Sequence, residues 1–76
     1  MRAADAHARA DELKAHALAL YSEAREIRRE GLAYKAVERR YEAKYREAYW
    51  FDMAHNDARR LAMQLERKEM LERGAA

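Results

Sequence analysis

The chain contains no cysteine and no proline, and only two glycines, Gly31 and Gly74. Without cysteine, neither a disulfide nor a thiolate metal site can hold a small fold together. Without proline, no ring forces a helix to stop or kink. Threonine is absent, and valine and isoleucine occur once each, so the β-branched residues that strands favour are almost missing. In their place stand Ala, Leu, Glu, Arg, Lys and Met, the strong helix formers. An excess of one charge is lacking too: 16 basic residues face 14 acidic ones for a net +2, with the signs mixed throughout. Such mixing marks a solvated helical surface, whereas a nucleic-acid binder concentrates its positive charge on one face. Long apolar runs are also missing. Ala17 to Tyr21 is the longest nearly apolar stretch, far short of a membrane span. Asp5, His7 and Arg9 interrupt the region where a signal peptide would place its apolar core. These absences predict a cytoplasmic protein with no membrane partner, and they weigh against a nucleic-acid partner.

What is present organises around the segment from Tyr34 to Phe51. Tyr34, Tyr41, Tyr45, Tyr49, Trp50 and Phe51 are six of the seven aromatic residues of the protein. Seventy-six residues make one helical domain, 1–76. A chain this short buries only about 60–65% of its unfolded surface, so it needs well-made packing or association. Over residues 3–30, Ala6, Ala10, Leu13, Ala17, Leu20, Ala24 and Ile27 alternate steps of four and three, which places them on one helix face. The small residues among them let a partner helix come close. Gly31 follows as a C-terminal cap, with a turn at Gly31–Leu32. A second stripe runs through Tyr34, Val37, Tyr41, Tyr45, Ala48, Phe51 and His55. A turn at that place makes facing residues sum to about 64, so that small residues mostly meet large ones.

The fold class is therefore all-α, a small antiparallel bundle with helices over about 3–30, 33–55 and 57–73. The break falls at Asn56-Asp57, where Asn can end one helix and Asp can cap the next. The alternative is a long two-helix hairpin, 3–30 and 33–73, pairing with itself into a four-helix bundle, because the heptad runs through 56 and 57 without a change of phase. Ion pairs are expected along each helix, as Asp5–Arg9, Asp11–Lys14 and Glu42–Arg46.

In composition the whole chain resembles a de novo designed helical bundle: helix formers throughout, interspersed charges, and glycine at the turn and at the C-terminal end. The cluster from Tyr49 to Met53 departs from the clean two-valued pattern of such designs.

Three histidines, His7, His16 and His55, are the candidate metal or haem ligands. No His-x-x-x-His or Glu-x-x-His spacing accompanies them, so no metal or cofactor is expected, with His16 and His55 the weak candidates. No pair of carboxylates sits in an apolar setting as acid–base chemistry requires. Ser22, the one serine, has no histidine on its face, and no glycine-rich phosphate loop is present. The chain does not read as an enzyme. Trp50 carries more information. On a wheel of 100° per residue it lies near 180° from Tyr41, with Met53 near 120° and Phe51 near −80°. A helix apolar on every side is surrounded, so either a third helix or another chain covers Trp50. Tyr45, Tyr49, Trp50 and Met53 are accordingly the expected partner-binding residues of a helical scaffold that associates with itself or with another protein. A bundle binding a small molecule, haem or a metal through its histidines and tyrosines is the alternative. A third, weaker reading is nucleic-acid binding through Arg39, Arg40, Lys44, Arg59 and Arg60.

Overall fold

The computed structural model describes residues 1–29 and 35–75. Its first helix, α1 (Ala3–Arg29), follows from the small-residue repeat: Ala3, Ala6, Ala10, Leu13, Ala17, Leu20 and Ala24 are all buried along one stripe. The second, α2 (Lys35–Ala75), packs antiparallel against it and buries Ala48 and Ala62. Ala10, Ala17, Ala48 and Ala62 have no exposed surface at all. Four methyl side chains thus lie where two helices meet, and no large side chain among the described residues is completely enclosed. The long rings sit beside the seam. Tyr41 and Phe51 are half-buried, and Tyr45 is exposed.

The all-α class is what the composition requires. The expected third helix is not there, because α2 continues through Asn56 and Asp57 for 41 residues. Each of these two residues costs a helix interior roughly 0.7 kcal/mol relative to Ala. Neither removes a backbone hydrogen bond as proline would, and tertiary contacts flank both. His55 bonds through Nδ1 to the Ala10 carbonyl at 2.9 Å, and Arg59 reaches Asp11 at 2.7 Å. Packing on either side therefore carries the helix across. The molecule is a rod with principal extents of 64 × 13 × 13 Å. The turn expected at Gly31–Leu32, and Tyr34, lie outside the described residues.

Lys14 pairs with Asp52 and Tyr21 with Tyr45, so these facing residues sum to 66 rather than 64. Side chains lean toward the N-terminus of their own helix. The remaining contacts across the interface sum to between 65, for His55 with Ala10, and 73, for His7 with Glu66, so they lie above the expected 64, and Phe51 meets His16 rather than Leu13. The expected ion pairs along each helix are replaced. Lys14 reaches Asp52 and Arg59 reaches Asp11, both across the interface, while Arg9 pairs with Glu12. At the start of α1, the Ala3 amide donates to Glu69 Oε1 at 2.9 Å. A carboxylate of α2 thereby satisfies one orphan amide at the positive end of α1.

Substituting Ala17 with Leu should drive the helices apart. The expected cost is about 1–3 kcal/mol, as for other overpacked sites. Urea unfolding followed by circular dichroism measures it, and the exposed Ala15→Leu change should cost far less.

Candidate interaction surface

Because alanines hold the seam, the aromatic side chains have no interior to fill and line its edges. On one edge Tyr21 meets Tyr45 edge-on at 5.3 Å between centroids, and Tyr45 lies 5.9 Å from Tyr41. The Arg28 guanidinium stands 4.9 Å above the Tyr41 ring, a cation over a π face. The result is an aromatic cluster of Tyr21, Tyr41 and Tyr45 suited to packing or interaction. Partial desolvation, and after it the Asp52 carboxylate and the neighbouring Tyr45 and Tyr49, raise the Tyr21 phenol above its ordinary value of 10.0. Tyr21 and Arg28 were not among the expected interaction residues. Tyr21 falls one step off the α1 stripe, and only the antiparallel register brings it to the α2 tyrosines.

The four residues expected at a partner surface all reach solvent. Tyr45 is 46% exposed, Tyr49 54%, Trp50 65% and Met53 46%. They do not form one patch. Tyr45 and Tyr49 sit on the edge that carries Tyr21, while Trp50 points away from α1 and places its indole edge-on to Phe51 at 5.0 Å. Phe51 in turn stacks on His16 at 4.1 Å on the opposite edge. No third helix covers Trp50 in the described structure.

The three histidines are held apart by different partners. His16 stacks on Phe51, and His55 is engaged by the Ala10 carbonyl. His7 is not free in solvent: Arg59 Nη1 lies 2.8 Å from its Nδ1 and Glu66 Oε2 3.2 Å from its Nε2. Among the described residues no three His, Asp or Glu side chains converge on a point where a metal could bind. Of the five basic residues considered for nucleic acid, Lys44 is bridged to Glu23 and Glu47, and Arg59 to Asp11. No helix among the described residues is long and apolar enough to cross a membrane. Comparison of the chain with protein-family models, with curated proteins and with solved structures gives no match.

The raised Tyr21 phenol sets a direction for stability against pH. The folded state holds this proton more tightly than the unfolded state, so the contribution is complete below pH 10 and is lost as pH rises through the higher native value. Alkaline titration of unfolding should show stability falling above pH 10, with a shallower fall in Tyr21→Phe. An identical slope in the two proteins contradicts the assignment.

Proposed function

We propose that this chain is a non-enzymatic helical association module, and that the partner of its exposed aromatic helix is a second copy of itself. The observation that carries the reading is the amount of surface left uncovered. The chain exposes 6111 Å². A compactly folded protein of 9.0 kDa exposes about 4,850 Å² by the usual scaling of area with mass. The surplus, about 1,250 Å², exceeds the roughly 800 Å² that each partner contributes to a standard protein interface. It is rich in large side chains, including Trp50 and Tyr49, which dominate binding energy wherever they become desolvated. Two alanine-cored helices alone form a thin fold, and pairing supplies the second layer that domains of this kind require. A two-fold pairing covers the same patch on both chains at once.

Sedimentation equilibrium at micromolar concentration should give twice the chain mass, and the Trp50 emission should shift to shorter wavelength as the concentration rises. The double change Tyr49→Glu with Trp50→Glu should weaken pairing by at least about tenfold, about 1.4 kcal/mol, while helicity by circular dichroism is retained. A strict monomer under these conditions, with or without a heterologous partner, overturns self-association.

A further inference from the structure

Self-association leaves open which side of α2 a second copy covers, and the two edges of the seam are not alike. His55 reaches the Ala10 carbonyl and so marks the direction of α1. From it, a wheel of about 100° per residue sets Asp52, Arg59 and Glu66 between roughly +20° and +60°. Phe51, Ala58, Leu65, Ala54, Leu61 and Trp50 fall between roughly −40° and −140°. Polar contacts close the first edge. Lys14 donates to Asp52 at 3.2 Å, and Arg59 to Asp11 at 2.7 Å and to His7 at 2.8 Å. His7 in turn lies 3.2 Å from Glu66. Along the same length of the second edge, no ion pair joins the two helices among the described residues. There His16 stacks on Phe51, and Arg9 pairs with Glu12 on its own helix. Between positions 50 and 65 this side of α2 carries no charged residue. Leu61 is 44% exposed on it, and Phe51, Ala54, Ala58 and Leu65 are half-buried.

We propose that the second copy docks on this apolar edge, on the face of α2 formed by Phe51, Ala54, Ala58, Leu61 and Leu65 with Trp50 at its margin. The tyrosine edge is left in solvent. This face refines the self-association reading, on which it rests. Desolvation favours it. A helix laid along the first edge takes the ladder of Asp52, Arg59 and Glu66 out of water, and the cost of burying charges offsets what their contacts return. A helix laid along the second meets no charge between positions 50 and 65. Shape favours it as well. Ala54 and Ala58 repeat the device of the seam between α1 and α2, where buried alanines let two helices come close. Trp50 and Phe51 stand at one end of these alanines, with the rings edge-on at 5.0 Å, and Leu61 and Leu65 at the other. Bulk on one copy therefore has hollows to enter on the other. The absence of charge points to a second copy as the occupant. Glu47 and Lys68 bound the face at its two ends with opposite signs, so no acidic or basic partner is selected. Two identical neutral faces bring no like charges together. The face is centred roughly a quarter turn from the direction of α1, which lets α2 touch two neighbours as a helix in a four-helix bundle does. Trp50, now 65% exposed, is the side chain with most to gain from being covered.

Sedimentation equilibrium of four single variants separates the two edges. Leu61→Glu and Trp50→Glu should each raise the dimer dissociation constant at least about tenfold. Tyr49→Glu and Met63→Glu, on the opposite flank, should leave it within about twofold, with helicity by circular dichroism retained in all four. A second readout needs no new charge. In the unaltered chain the methyl resonances of Ala54, Ala58, Leu61 and Leu65 should shift between dilute and concentrated samples, and those of Met63 and Met70 should stay in place. A dimer indifferent to Leu61→Glu, or weakened as much by Met63→Glu, overturns the choice of edge but leaves self-association standing. Concentration dependence confined to Met63 and Met70 does the same. A wild-type chain that stays monomeric removes both.

Discussion

Contact between alanines sets the terms for everything else in this molecule. Where Ala10, Ala17, Ala48 and Ala62 are wholly buried, the interface has room for methyl groups, and only Leu13 and Leu20 add larger side chains to it. Close approach favours dispersion between the two backbones and their short side chains. It also leaves the larger residues without an inside. Tyr, Trp, Phe and Met are therefore arranged along the edges and the outer face, where they stand among the charged residues of the surface. The rod-like proportions of the fold and the exposure of Tyr49, Trp50 and Met53 have one origin.

The edges are organised by polar contacts that run between helices. Lys14 with Asp52, Arg59 with Asp11 and Lys44 with Glu23 each join α1 to α2. Each is partly exposed and individually worth little. Together with the His55 bond to the Ala10 carbonyl they specify sliding position, something a repeating alanine seam does weakly. An alanine seam shifted by one heptad would pack nearly as well, whereas these pairs would be lost. Apolar contact thus brings the helices together, and charge selects the register.

Much of α1 was legible in the sequence, since a strict alternation of steps three and four cannot be mistaken once proline and β-branched residues are absent. Ala6, Ala10, Leu13, Ala17, Leu20 and Ala24 are the buried stripe itself. The continuity of α2 was harder to read. Asn56 and Asp57 carry local preferences for a boundary, and the contacts that override them, through His55 and Arg59, come from residues more than forty positions away. Separation along the chain likewise hid the pairing of Tyr21 with Tyr45 and the charge pairs that cross between the helices, Lys14 with Asp52 and Arg59 with Asp11. Exposure of Tyr45, Tyr49, Trp50 and Met53 follows from apolar bulk on all sides of one helix, but their division between two flanks depends on where α1 lies.

The rod-like outline has its own consequence. A Cα radius of gyration of 17.8 Å compares with about 11 Å for a globular chain of this length. End-over-end tumbling of such a body is much slower than spinning about its long axis. Amide relaxation in solution should therefore depend on bond orientation, with N–H vectors along the helices reporting the slow motion. The same elongation makes a single chain pass through a gel-filtration column as though it were considerably heavier than it is.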